Sequence, residues 1–341
     1  MSRADRREFS KGPSAPAAAS AAAAGSRKAQ QLGLFGDEPL EGAVPVAPAP
    51  VDEALRRLAA MLPPRLRLGT SSWSFPGWEG LVYGARGKLT PRRLARQGLA
   101  AYAQHPLLRA VGLDRSYYTP LPREVYARYG ADVPDDFRFL VKAHEALVSS
   151  EGACFLDVET ALRDFVVPSQ EGLGPDKTAA LLFQFPPLPL AQLGGRRAFT
   201  AKLHAFISAL PKGPVYAVEV RNRELWHREL PAALADAGAV PCFNVHPLVP
   251  SVAEQRRFCS EIPPVVVVRW MLHGGFRYAA AKARYAPFDR LVDPDPSSRD
   301  QIAALVAEAA THGRETTVVA NNKAEGSAPL TLRSLAEQLA D

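Results

Sequence analysis

The residues able to do chemistry in this 341-residue chain fall at the ends of short apolar runs. Lys142 lies near the end of Phe137–Ala143, and Gln184 closes Ala179–Gln184. Glu219 and Arg221 flank the end of Val215–Val220, Arg269 follows four consecutive valines, and Asn321 and Asn322 follow Thr316–Ala320. In an extended strand successive side chains alternate between faces, so Glu219 and Arg221 share one face while Val218 and Val220 take the other. Burying one such charge is costly unless it is paired. Its recurrence at one strand end after another therefore marks a shared polar pocket.

Each type suggests a role. Glu219 is the candidate general base or electrostatic anchor, because the neighbouring Arg221 would keep it ionised. Lys142 is the second catalytic candidate. Lys142, Arg221 and Arg269 could also clamp a carboxylate or phosphate, the arginines through their two-pronged fork. Gln184, Asn321 and Asn322 offer amides to hydroxyl groups, Trp73 offers a ring for stacking, and His273 adds a further ligand-binding nitrogen. A plainer reading competes with each: a structural ion pair, amides tying strand ends together, an aromatic packed into a rim. The residue types leave both open.

Eight apolar runs can carry these groups: Leu66–Thr70, Ala110–Asp114, Phe137–Ala143, Ala179–Gln184, Val215–Val220, Val240–Val245, Val265–Met271 and Thr316–Ala320. Helical patterns lie between them, among others at Leu94–Ala103, Ala198–Leu210, Leu230–Ala237 and Arg299–Ala310. The alternation predicts an α/β fold, a TIM (β/α)8 barrel from residue 65 to 341, in which every strand end named above meets at the face where active sites form. Runs apolar on both faces, such as Val265–Val268, suit strands buried under helices. A doubly wound sheet is the alternative, but no glycine-rich phosphate loop follows the first strand.

Several motifs then occur in a recognisable order. They are Gly69-Thr70-Ser71-Ser72-Trp73-Ser74-Phe75-Pro76-Gly77-Trp78, Phe137 to Lys142, Leu182-Phe183-Gln184-Phe185-Pro186-Pro187, Val218-Glu219-Val220-Arg221-Asn222 with Trp226, Val268-Arg269 through His273-Gly274, and Asn321-Asn322 with Gly326 and Ala328. With them the chain resembles the YecE-like family, domain of unknown function 72, from about Arg65 to Leu339. The resemblance implies a TIM-like barrel and no established reaction. Three departures stand out. Val111-Gly112-Leu113-Asp114 before Tyr117-Tyr118 puts glycine where the family has glutamate, which counts against a two-carboxylate mechanism. Asn244 and His246 occupy the region of a usual aspartate, and His144-Glu145 replaces a usual Thr-His pair.

Composition bounds the remaining possibilities. With 47% hydrophobic and 22% charged residues the chain is ordinary for a globular protein, and a net charge of +6 mildly favours anionic partners. Cys154, Cys242 and Cys259 form no CxxC pair, which argues against a disulfide framework or structural zinc. The Ala17–Ala24 run is too short to span a bilayer. Cytoplasmic location without a membrane partner is the expectation. No cofactor is predicted; a divalent metal among His144, Glu219, His246 and His273 is a weaker alternative, with few ligands available.

Residues 1–50, rich in Ala, Pro, Ser and Gly, read as a disordered tail, and 51–64 as a short helix plugging or flanking the barrel bottom. Inside the tail, Gln31, Leu32, Leu34 and Phe35 resemble the Gln-Leu-x-Leu-Phe peptide that docks bacterial polymerases and repair proteins on the sliding clamp. Three functional expectations result. The leading one is an enzyme or degenerate enzyme acting on a small anionic or polyhydroxylated ligand at the barrel mouth. The others are a DNA-maintenance factor recruited to the clamp, contacting nucleic acid, and a non-catalytic scaffold.

Overall fold

Alternation of apolar runs with amphipathic segments resolves into a closed barrel. The computed structural model describes residues 45–84, 87–276 and 278–340; Gln31, Leu32, Leu34 and Phe35 lie outside them. The strands are β1 (Leu66–Thr70), β2 (Leu108–Leu113), β3 (Arg138–Lys142), β4 (Thr178–Gln184), β5 (Tyr216–Glu219), β6 (Ala239–Val245), β7 (Val265–Trp270) and β8 (Glu315–Ala320). All pair in parallel with their sequence neighbours, and β8 closes on β1. Closure rules out the doubly wound alternative.

The alternation predicted for β5 holds around the barrel. Phe139, Val141, Leu181, Phe183, Val218 and Val268 belong to the main apolar cluster shared with the helices. Leu140, Leu182, Ala217, Cys242, Val267 and Val319 form a separate apolar layer inside the barrel. That inner layer is a floor, and the strand-end polar groups project from the same face above it. Below it Arg67 pairs with Glu315 and donates to the Asp136 carbonyl at 3.1 Å. The lumen is thus apolar in the middle and charged at both ends.

Among the helices, Gly195–Ser208, Glu229–Ala237 and Pro296–Thr311 match the expected segments, whereas Leu94–Ala103 divides at Gly98 into Pro91–Gln97 and Leu99–Tyr102. The early helix Glu53–Met61, capped by Asp52 accepting from the Leu55 N–H, packs on the last helix, Ala328–Ala340, and buries no residue completely. It flanks the barrel and does not plug it. The tail boundary drawn at residue 50 is too late. Val46 and Ala49 are buried, and the segment bonds to Val82 and Gly84 through Ala49 N–H to Val82 O and Gly84 N–H to Ala47 O, each 2.9 Å. Two apolar side chains with backbone partners are enough to hold a proline-rich strip. Among the described residues no helix is long and apolar enough to cross a membrane.

The β1–β2 register shifts between Leu68 and Gly69, bringing the two backbones close. A β-carbon at Gly69 would lie 2.1 Å from the Ala110 carbonyl oxygen, a backbone atom that cannot step aside. Gly69→Ala is expected to lose at least the roughly 1–3 kcal/mol of an overpacked core. Urea unfolding checks this, and an unchanged midpoint would refute the close approach.

Candidate functional site

Glu219 closes β5 on the lumen side and is completely buried, at 0% exposure. Such a carboxylate survives only with strong partners. Its Oε1 meets Arg221 Nη2 in a close ion pair, and its Oε2 accepts from Arg269 Nη1 at 2.5 Å. Arg269, rising from β7, also faces the Asp114 carboxylate at 3.6 Å just beyond β2. A single guanidinium thereby braces the ends of three strands across the barrel. Lys142 at the end of β3 is buried, its Nζ lying 3.6 Å from the centroid of the Tyr117 ring. Three basic side chains (Lys142, Arg221, Arg269) thus stand against two acidic ones (Glu219, Asp114). When Lys142 is protonated the mouth carries one positive charge in excess.

The field inside the mouth follows from burial and these charges. Burial alone would raise the Glu219 carboxyl, but Arg221 and Arg269 outweigh it and hold the group below its ordinary value. That suits an anchor and makes it a weak proton acceptor. Burial lowers the Lys142 amine to about 8; the pull of Asp114 and Glu219 is opposed by Arg269 and Arg221. Burial and Arg221 lower His246 to about 4, so its ring is neutral at pH 7. Its Nδ1 accepts from the Leu248 N–H at 3.3 Å, leaving the Nε2–H as a donor. Burial, followed by the charge of Glu219, keeps Cys242 a protonated thiol.

Of the sequence candidates, Lys142, Glu219, Arg221 and Arg269 come together. Gln184 lies beside Glu219 in register and is half-buried. Asn321 closes the barrel: its Nδ2 donates to Ser71 Oγ at 2.7 Å and its Oδ1 accepts from the Lys323 N–H at 3.0 Å. Asn322 is a tie between loops, its Oδ1 accepting from Trp78 Nε1 at 3.2 Å and the Ala328 N–H at 2.8 Å. Trp73 is 3% exposed, donates its indole N–H to Leu94 O at 3.0 Å and packs edge-on to Tyr129. It offers no free ring face and is part of the wall. His273 lies beyond β7, its Nδ1 accepting from the Gly275 N–H at 3.2 Å and its ring edge-on to Phe276. No group of three or more His, Cys, Asp or Glu side chains is placed to hold a metal among the described residues.

Two participants were not among the candidates. Asn244 on β6 is 0% exposed, and neither its Oδ1 nor its Nδ2 has a hydrogen-bond partner. It pairs in register with Arg269 and shares the inner face with Cys242 two residues earlier. The alternation Cys242, Asn244, His246 in an otherwise apolar strand was the available signal. Asp114 is the other. A β-carbon at Gly112 would lie 3.2 Å from Ser71 Cα, so that position is crowded, and the β2 carboxylate comes instead from Asp114, two residues on along the same face.

Comparison with known proteins agrees with this architecture. Residues 67–341 match the model of the family described as "Protein of unknown function DUF72". A 100-residue stretch is 32% identical to the UPF0759 protein YunF of Bacillus subtilis, covering 28% of this chain and 34% of that protein. The chain therefore aligns with about a third of that curated relative's length. Crystal structures of DUF72 family proteins from Enterococcus faecalis and Thermotoga maritima superpose with a TM-score of 0.52 each. The first is 18% identical over 80% of this chain and 95% of its own, the second 20% over 81% and 99%. At that identity they share the fold.

Glu219→Gln leaves two buried guanidiniums facing a neutral amide, and is expected to cost about 3–5 kcal/mol, as for other broken buried pairs. The folded carboxyl titrates below its ordinary 4.5, so its stabilisation is complete above that pH and is lost as pH falls below it. Denaturation of wild type and variant should therefore differ most at neutral pH and converge in acid. A constant difference across pH would contradict the ion-pair assignment.

Proposed function

The chain belongs to the DUF72 family of proteins of unknown function, and from that premise we propose that its barrel mouth binds a small organic anion carrying a further oxygen function. The observation that carries this reading is Asn244. A fully buried amide with both atoms unpaired is uncommon, and each unmet group costs about 1–3 kcal/mol. Asn244 stands beside Arg269, in a cluster whose positive charges outnumber its negative ones while Lys142 is protonated. A ligand with an anionic oxygen near Arg269 and Arg221, and a hydroxyl or carbonyl at the Asn244 and Gln184 amides, would meet both deficits at once. Glu219 in this arrangement orients the two guanidiniums in advance of binding, so little ordering is left for the ligand to impose. A hydroxy acid, an oxo acid or a phosphorylated polyol satisfies the chemistry; a neutral sugar leaves the charge unanswered.

Asn244→Leu separates this role from a structural one. Replacing an unpaired buried amide with a hydrocarbon of similar size is expected to leave stability unchanged or raise it. The same change should weaken small-anion binding by about tenfold or more, as expected for a charge-adjacent hydrogen bond of about 1.5–3 kcal/mol. Thermal shifts and calorimetry with inorganic phosphate, lactate, citrate and neutral glycerol provide the readout. No anion stabilising the wild type, or a destabilised variant with unaltered anion binding, would end this reading.

A further inference from the structure

Lys142 is buried, and among the described residues no carboxylate pairs with it directly; Asp114 and Glu219 attract it only from a distance. Glu219 gives its two oxygens to Arg221 and Arg269, and Asp114 faces Arg269. Among the described residues the Lys142 amine forms no ion pair or hydrogen bond, and its neighbour is the face of the Tyr117 ring at 3.6 Å. An ammonium there would stand in a site shielded from water, among two guanidiniums and the two carboxylates that those guanidiniums already engage. Burial is the largest effect and, with the guanidiniums, outweighs the carboxylates in easing loss of the proton, and a desolvated lysine beside other cations is a recurrent way of making nitrogen nucleophilic. The strand holds it rigidly: Ser116 Oγ donates to the Lys142 carbonyl at 2.6 Å, and the Ala143 N–H bonds to Leu182 O at 2.8 Å.

We propose that the Lys142 amine forms an imine with the carbonyl carbon of a small 2-oxo acid whose carboxylate is seated by Arg269 and Arg221. The proposal rests on the anion-binding reading and names the substrate class for it. The nitrogen lone pair attacks the carbonyl carbon, the C–N bond forms, and the carbonyl oxygen takes up a proton as the nitrogen gives one up. The resulting carbinolamine expels its hydroxyl with a second proton as water, leaving the carbon–nitrogen double bond. One amine and one carbonyl thus give one imine and one water, with no oxidant or reductant required. Of the anions proposed for the mouth, a 2-oxo acid places an electrophilic carbon directly next to its carboxylate, which is what an amine beside two guanidiniums can use.

The test is reductive trapping on the full chain. Protein is incubated with pyruvate and sodium cyanoborohydride, and the adduct is measured by intact mass and located by peptide mapping. A single reduced adduct on the peptide containing Lys142 is expected, and excess lactate, which has the carboxylate but no carbonyl, should suppress it. Lys142→Met should lose the adduct while keeping the wild-type melting profile. Adducts spread over other lysines, or an adduct that persists in Lys142→Met, overturn the proposal. If that variant does not fold, the peptide map of the unaltered protein decides. No adduct while lactate still stabilises the protein overturns imine chemistry and leaves the anion site standing. No adduct and no stabilisation by lactate overturns both.

Discussion

A completely buried carboxylate held between two guanidiniums is the constraint on which the upper half of this barrel depends. Glu219 has no access to water, so its charge is tolerable only while Arg221 and Arg269 remain in place. Replacing such a pair with hydrocarbon is often neutral or stabilising in other proteins. Stability is therefore a poor reason for its presence, and a preset electric field is a better one. Arg269 extends the constraint by reaching Asp114, so β2, β5 and β7 are fastened at one end through a single side chain. Movement of any of these strand ends would expose an unpaired charge to an apolar floor.

The rim around that mouth is fastened unequally. After β1, Phe75 packs on Trp78 and edge-on to Phe288, which belongs to the segment following β7. Trp78 in turn bonds to Asn322 after β8, and the His273 N–H bonds to Lys323 O at 2.9 Å. Three successive loops around the closure of the barrel are thus knitted by aromatic packing and by bonds between loops. On the opposite side, β3 to β6 supply Lys142, Gln184, Glu219 and Asn244 from the strands themselves. Groups borne on strands are placed more firmly than groups borne on loops. This division puts the polar chemistry on the rigid part of the fold and leaves the aromatic motifs to seal the seam between first and last strands.

Much of this was legible in the chain. All eight strands fall where apolar runs predicted them, because a strand buried under helices must be apolar on both faces and short. The polar residues ending those runs were legible too, since alternation dictates which of them face inward. Helix boundaries were less so. The division at Gly98 and the packing of Val46 and Ala49 depend on neighbours remote in sequence. The tryptophans illustrate a different limit. Trp73 carries a bondable N–H and a broad ring, equally suited to a ligand or to a wall, and only the Leu94 carbonyl and the Tyr129 edge decide for the wall.

The sequence by itself determined the fold class, the strand positions and the gathering of Lys142, Gln184, Glu219, Arg221, Arg269 and Asn321 at one end of the barrel. Periodicity and strand order suffice for that, because in a closed parallel barrel every strand ends on the same face. Which of those charges pair was decided only by tertiary structure. Glu219 had one evident partner two residues away, and its second, Arg269, arrives from a strand 50 residues further on. The same geometry engages both carboxylates with the arginines, leaving Lys142 without an ion pair of its own and the Asn244 side-chain amide without a hydrogen bond among the described residues. An unmet partner is a property of distances between strands, and no pattern along a single strand can express it.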